Sequence, residues 1–280
     1  MTKDSLNNQD MISVIITTYN WPEALALTLE GFQVQEDQNF EAIIVDDGSK
    51  EDTKSMIKAF KQKAAFPITH LWQKDKGFRA ARARNLGIQK AKGKYLIFID
   101  GDCIPQTSFI KRHRQLAESR YLVVGHRVIL NQKFTQEILE KKLPIWFKGN
   151  LYWFFKRLGK SCNKFLPCLY FTRTNRYRRQ QKWQGAKTCN LAAWKKDLMS
   201  VFGFDENFEG WGYEDSDLTI RLFNNGIKRK SGKFATEVFH LWHKQTARNQ
   251  AKQNSIRLEQ ILTNGEIKAQ KSLLKQVQKS

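Results

Sequence analysis

Cysteine is scarce in this chain. The four present, Cys103, Cys162, Cys168 and Cys189, are too few and too irregularly spaced for a disulfide scaffold or a paired zinc motif, so free, reduced thiols are expected. Long apolar runs are also missing. Stretches such as Tyr95–Ile99 stop at five residues, far short of the roughly 18 needed to cross a bilayer. Met1 to Asp10 is polar and lacks the apolar core of a signal peptide, which leads us to expect cytoplasmic synthesis and retention. Neither Gly-x-Gly-x-x-Gly nor Gly-Lys-Ser/Thr follows the first apolar run, which continues instead as Thr17-Thr18-Tyr19-Asn20-Trp21-Pro22. That speaks against a dinucleotide dehydrogenase and against a P-loop nucleotidase. Acidic residues are outnumbered, 27 Asp and Glu against 48 Lys and Arg, for a formal net charge of +21.

The basicity is local. From Lys141 to Lys196 there are fifteen Lys and Arg and no Asp or Glu, so this stretch supplies +15 of the total. Between Trp146 and Trp183 the cations interleave with rings, among them Phe147, Tyr152, Trp153, Phe154, Phe155, Phe165 and Tyr177. Three readings suit such a surface. It fits an anionic membrane interface, where rings sit at headgroup level and cations meet phosphates; it fits single-stranded nucleic acid; and it fits a helical subdomain with a solvated basic face. We favour the membrane.

A length of 280 residues with 41% hydrophobic side chains can bury one large core or two small ones. The first 130 residues alternate strand and helix. Ser13–Thr18 is a β-branched run of the kind buried on both faces. Asn20 fits a helix N-cap and Pro22 the first turn of a helix running through Leu25, Leu29 and Phe32. Further strands are predicted at Ala42–Val45, Ile68–Trp72 and Tyr95–Ile99, with helices over Glu51–Ala64 and Gly77–Ala91. The alternation predicts a parallel α/β sheet with ligands at the carboxyl ends of its strands. Polar groups gather at those ends: Thr17 to Asn20, Asp46 and Asp47, Gln73 to Asp75, and Asp100 with Asp102.

Two segments carry the chemistry. Asp100-Gly101-Asp102, two carboxylates flanking a glycine at a strand end, suggests a hard divalent cation completed by phosphate oxygens. Phe208 to Asp217 sets Glu214 and Asp215 behind Gly210-Trp211-Gly212-Tyr213, at the first turn of a predicted helix. Glycine lets the backbone approach a ligand, the rings offer flat faces to a sugar, and the carboxylates can accept protons from hydroxyls. Acids in a first helical turn also occur simply because they complement the helix dipole.

These segments resemble family-2 glycosyltransferases of the GT-A fold. The motifs are Thr17-Thr18-Tyr19-Asn20, Val45-Asp46-Asp47-Gly48-Ser49, Asp75-Lys76-Gly77-Phe78 with Arg84-Asn85, and Phe98 to Asp102, in that order. Gly203 to Glu206 followed by Gly210 to Asp215 is similar to the branch holding β-1,4-galactosyltransferases and chondroitin-type polymerases. The resemblance implies a single Rossmann-like nucleotide-sugar-binding sheet with helices on both faces and a basic-aromatic helical insertion. It implies that Thr17, Tyr19 and Asp47 hold the base and ribose, that Asp75 and Arg84 border the donor, that Asp100 reaches the ribose or metal, and that Gly101 joins the same binding site. Asp102 and His240 would ligate Mn2+ or Mg2+, with Asp100 and His243 as weaker candidates. Asp215 would be the base, Glu214 would orient the acceptor, and Trp211, Gly212 and Tyr213 would form the sugar platform. Tyr213 stands where glycine is frequent, and Ser216 where a third acid is frequent.

The implied reaction is an inverting, metal-dependent transfer from a nucleoside diphosphate sugar, a UDP-hexose or UDP-HexNAc, to a glycan acceptor. A nucleotidyltransferase making nucleotide sugars is the alternative, and a basic nucleic-acid-binding module a further one; nucleic acid is not expected as a partner, since intact carboxylates repel phosphate. We expect a donor half at 1–130, a basic-aromatic insertion on the acceptor and membrane side at 131–184, a catalytic half at 185–243 and a basic helical tail at 244–280. A basic-aromatic insertion on a cytoplasmic transferase points to peripheral docking at the inner leaflet, where lipid-linked acceptors such as lipopolysaccharide core are assembled. The sequence leaves oligomeric state open.

Overall fold

The computed structural model describes residues 5–165, 170–171, 175–244 and 250–277. The first apolar run forms β1 (Ile12–Thr18), whose side chains alternate between two cores: Ile12, Val14 and Ile16 enter one, Ile15 the other. β2 (Phe40–Asp46), β3 (Ile68–Trp72) and β4 (Tyr95–Asp100) join it in parallel, in the order β3-β2-β1-β4. The crossover helices α1 (Pro22–Gln33) and α2 (Glu51–Lys63) cover one face through Leu25, Phe32, Ile57 and Phe60. α3 (Ala80–Lys90) covers the other through Ala81, Ala83 and Ile88.

The strand order beyond β4 departs from the wholly parallel sheet that alternation predicts. After β5 (Cys103–Pro105), α4 (Phe109–Leu116), β6 (Tyr121–Val124) and β7 (Arg127–Ile129), the chain leaves the sheet. It forms α5 (Gln132–Lys141), a 3-10 turn (Ile145–Phe147) and α6 (Asn150–Leu158). It then returns as β8 (Asn190–Trp194), which slots between β4 and β6 antiparallel to both. α5 and α6, which lie between β7 and β8, pack on the second sheet, and β8 enters this one antiparallel. α7 (Lys195–Ser200), α8 (Glu214–Asn224), β9 (Lys228–Ser231) and β10 (Val238–His240) follow. β9 closes the seven-stranded sheet beside β6, and β10 sits in a second, three-stranded sheet of order β5-β10-β7.

Two helix starts also differ from expectation. Trp21, not Asn20, occupies the cap position of α1, with Pro22 at its start as predicted. Asn20 takes a left-handed φ of 48° and clamps the neighbouring loop instead, its Oδ1 accepting from Lys50 N at 2.9 Å. α3 begins at Ala80 because Gly77, at φ 80°, closes a turn on Asp75 Oδ1 at 3.0 Å.

The 131–158 excursion is bolted to the second sheet. Phe134, Ile138, Ile145 and Trp153 share a core with Ala24, Ile104, Val128 and Phe239, and Trp153 stacks on Phe239 with centroids 4.0 Å apart and planes at 11°. At the other end, α9 (Ala251–Asn264) packs Leu258 and Ile261 on Phe208 and Ile220. The chain then runs under Asp205 and Glu206. Asp205 Oδ2 accepts from Gln270 N at 2.7 Å, Glu206 Oε1 accepts from Leu273 N at 2.9 Å, and Leu274, at the start of α10 (Leu274–Val277), is fully buried. The predicted tail helix is thus packed on the domain. Cys103, Cys162 and Cys189 are free and buried, as expected, while Cys168 lies outside the described residues.

Candidate active site

The carboxyl ends of β1, β2 and β4 meet at one edge. Thr17 is in register with Asp100, and Gly101 N donates to Thr17 O at 2.8 Å. A Cβ on Gly101 would come within 3.2 Å of Thr17 O. Thr17 Oγ1 is buried with no protein partner. Asp47, at the end of β2, accepts from Gln73 Nε2 at 2.5 Å and from Arg79 N at 2.6 Å, which ties the loops after β2 and β3 together. Burial pushes its carboxyl up, against the pull of those donors. Its neighbour Asp46 turns the other way. Burial opposes its charge, but hydrogen bonds from His70, at 3.1 Å, and from Ser49 hold its carboxyl below the ordinary range. Gly48 is indispensable here: at φ 103°, a Cβ would lie 2.5 Å from Asp75 Cα. Asp75 accepts from the exposed Tyr19 hydroxyl at 2.9 Å, so the two residues form one rim of the edge.

Arg84 lies behind the strand-end edge, in contact with Asp100. Its guanidinium is buried and faces three carboxylates: Glu214 Oε1 at 3.0 Å, Asp100 Oδ1 at 3.4 Å and Asp215 Oδ1 at 3.7 Å. Burial disfavours the cation, yet Asp215, Asp100 and Glu214 together hold its pKa above the ordinary value. The sequence quoted Arg84 as part of a motif but gave no sign that it joins the end of β4 to the start of α8, contacts that span 16 and 130 residues.

α8 opens with both predicted acids. Tyr213, in its cap position, adopts a left-handed φ of 73°, which is where glycine costs least and accounts for glycine being frequent there in the branch it resembles. Its ring packs on the Phe208, Ile220, Leu258 and Ile261 cluster. Trp211 is half-buried, and Asn254 of α9 holds the turn through the carbonyls of Glu209, at 3.0 Å, and Gly212, at 3.2 Å. The Glu214 side chain is 9% exposed. Burial, then the charge of Asp215, push its carboxyl up to about 7 against the pull of Arg84. Asp215 is more open, at 22%, and accepts from Thr188 Oγ1 at 2.6 Å. Thr188 carries no motif and sequence reasoning missed it. Asp217 belongs to the framework: it is buried and paired with Arg221 Nε at 3.0 Å. An i, i+4 acid–arginine spacing is the signal that could have found it.

Two residues past Asp100, Asp102 faces the second sheet. Its Oδ2 lies 3.4 Å from His243 Nε2 and 3.7 Å from His240 Nε2, and the two imidazole centroids are 5.3 Å apart. Leu241 N donates to Asp102 O at 3.0 Å, which locks the histidine segment beside the aspartate. Among the described residues, Asp102, Cys103 and His240 form the grouping able to hold a metal, with ligand atoms within 4.8 Å of one another. Burial holds the Cys103 thiol well above its ordinary pKa. His240 Nδ1 is buried without a partner. An aspartate oxygen and an imidazole nitrogen are donors that a first-row divalent ion accepts.

The geometry agrees with what the chain is similar to. The family model described as glycosyl transferase family 2 matches residues 13–185, and that described as the N-terminal domain of galactosyltransferase matches residues 170–244. A chondroitin synthase of Pasteurella multocida is 28% identical over 246 residues, covering 79% of this chain and 24% of that protein. A hyaluronan synthase of the same species is 30% identical over 242 residues, covering 77% and 23%. A validoxylamine A glucosyltransferase of Streptomyces hygroscopicus is 28% identical over 229 residues, covering 78% and 49%. The chain therefore spans no more than about half the length of these relatives. Among solved structures, a mannosyltransferase of Pyrobaculum calidifontis in complex with GDP-Man and Mn2+ superposes with a TM-score of 0.62 at 15% identity, covering 94% of this chain and 68% of that one. S. aureus TarS in complex with UDP-GlcNAc gives 0.61 at 13%, covering 94% and 68%. At such identities the likeness speaks for the GT-A fold alone, and it is the family model, matching well over half of the chain, that decides membership: this chain belongs to glycosyltransferase family 2.

Proposed function

We propose that this transferase moves a hexose or N-acetylhexosamine from a UDP-sugar to a lipid-linked glycan, such as lipopolysaccharide core, at the inner face of a membrane, with inversion at the anomeric carbon. The observation that carries this reading is Arg84, which joins Asp100 on the strand-end side to Glu214 and Asp215 on α8. One cation thereby sets the spacing between a donor edge and a base. Solved neighbours bound to UDP, UDP-GlcNAc and GDP-Man support a nucleotide-sugar donor, and synthase relatives support a growing glycan as acceptor.

The acceptor hydroxyl gives its proton to Asp215, the more exposed carboxylate. Its oxygen bonds to the anomeric carbon as the bond to the diphosphate oxygen breaks, so configuration inverts in one displacement. Thr188 and Arg84 orient Asp215, and Glu214 holds Arg84 in place while presenting a second acceptor for sugar hydroxyls. Asp102 and His240, with His243 alongside, would hold a divalent cation, which when bound neutralises charge on the departing nucleoside diphosphate. Thr17, Tyr19, Asp47 and Asp75 line the edge where base and ribose would lie, and Trp211 offers a ring face to the acceptor sugar.

Hydrolysis of UDP-, GDP- and CMP-sugars with and without Mn2+, for the wild type and for Asp215→Asn, tests the reading. Metal-dependent turnover of a UDP-sugar that is lost in Asp215→Asn with folding intact is expected. Turnover indifferent to Asp215 would rule out its role as base.

A further inference from the structure

The basic-aromatic stretch resolves into a defined surface. Phe147, Leu151, Phe155 and Leu158 are 63%, 70%, 59% and 63% exposed. The spacing of Leu151, Phe155 and Leu158, four and three residues, puts these three on one stripe of α6, and Phe147 is exposed in the turn before it. The opposite side of the helix is fixed: Trp153 is buried and stacked on Phe239, the residue before His240. Three large apolar side chains thus stand in water on a helix that packing prevents from turning inward, with a fourth in the turn before it.

We propose that this stripe is a membrane-docking surface whose occupant is a bilayer of anionic phospholipid, a reading that rests on the lipid-linked acceptor proposed above. Charge selects the occupant. Lys148, Arg157, Lys160 and Lys164 flank the stripe and are all exposed. Of the two acids on the adjoining helix, Glu137 is bridged by Lys141 at 3.6 Å and Lys156 at 3.5 Å, and the exposed Glu140 is outnumbered by the four cations. A second copy of the chain would set cation against cation across the contact. An anionic leaflet meets the cations with phosphates while the apolar stripe enters the acyl boundary, and neither term alone gives firm attachment. The Trp153–Phe239 stack then holds the membrane plane at a fixed attitude to the His240 strand, so that a lipid-linked acceptor reaches Asp215 from one side.

Co-sedimentation of the full chain with vesicles of phosphatidylglycerol and phosphatidylcholine, against phosphatidylcholine alone, tests this. The wild type should bind the anionic vesicles at least tenfold more tightly than the neutral ones. The L151S/F155S/L158S variant should lose about tenfold or more of that binding while turning over soluble donor normally. Hydrogen exchange on the wild type gives a second measurement that needs no variant: vesicles should protect residues 147–158. Unchanged binding by the variant, or protection confined to other segments, overturns the proposal. So does a wild-type dimer that ignores vesicles and dissociates in the variant, since the stripe then meets a second copy. Binding through α6 without transfer to any lipid-linked glycan upholds the docking surface and removes the acceptor reading.

Discussion

Thr188 Oγ1 donates to Asp215 Oδ1 at 2.6 Å, and the Arg84 guanidinium stands 3.7 Å from the same oxygen. Asp215, the proposed base, is therefore held by one hydroxyl and one cation that share an atom. Thr188→Val should lower kcat about tenfold with the donor KM unchanged, and Thr188→Ser should restore it. Asp215→Asn should lower kcat by about 10²- to 10⁴-fold. Steady-state kinetics on all three variants checks the hierarchy.

The buried Arg84 guanidinium faces three carboxylates, of which Glu214 is the most enclosed. Replacing it by Met leaves Glu214 buried without its cation, which should cost on the order of 3–5 kcal/mol of stability. Denaturant unfolding of Arg84→Met measures this. Adding Glu214→Gln should recover part of the loss, because the uncompensated charge is then gone.

Burial, and then the charge of Asp215, push the Glu214 carboxyl up to about 7. A proton on Glu214 weakens its pairing with Arg84, the cation that helps position Asp215. We expect kcat/KM to rise with pH through about 7 in the wild type. In Glu214→Gln that limb should flatten at a lower overall rate, and pH–rate profiles for the two proteins check it.

Glu237 is pushed by burial up to about 8 from an ordinary 4.5, despite backbone hydrogen bonds such as that from Phe234 N at 2.6 Å. Between those values the unfolded chain has released the proton that the folded chain keeps. The contribution is complete below about 4.5 and is lost as pH rises to about 8. It amounts to the order of a few kcal/mol. Thermal unfolding should show Glu237→Gln gaining on the wild type as pH rises from 5 to 8.

Asp102, His240 and His243 converge on one point. Mn2+ should raise the melting temperature of chelator-treated protein, since an ion that binds only the folded state stabilises it. Asp102→Ala or His240→Ala should abolish the rise. A rise of equal size in both variants would move the ion elsewhere.

The half of the fold around β1 to β4 was legible because β1, β2 and β4 are apolar runs buried on both faces, and the polar residues that end those runs mark the edge where they converge. β8 was not, because its direction depends on where the excursion through α5 and α6 re-enters the sheet rather than on any local pattern. The two acids of α8 could be read from their motif. Thr188 and the reach of Arg84 could not, since they become neighbours only when elements far apart in sequence close on each other. Asn20 looked like a cap because its type suits one, and a left-handed backbone gave it another use.

The segment under Asp205 and Glu206 bears on where this folding unit ends. The galactosyltransferase-type match stops at residue 244, yet Ala269 N donates to Val201 O at 3.0 Å and Leu274 fills space beside Gly203. A protease cutting near 244 would strip away a covering that the turn before α8 leans on. Proteolytic trimming should therefore halt beyond residue 274, and any excised catalytic unit must carry that stretch to stay whole.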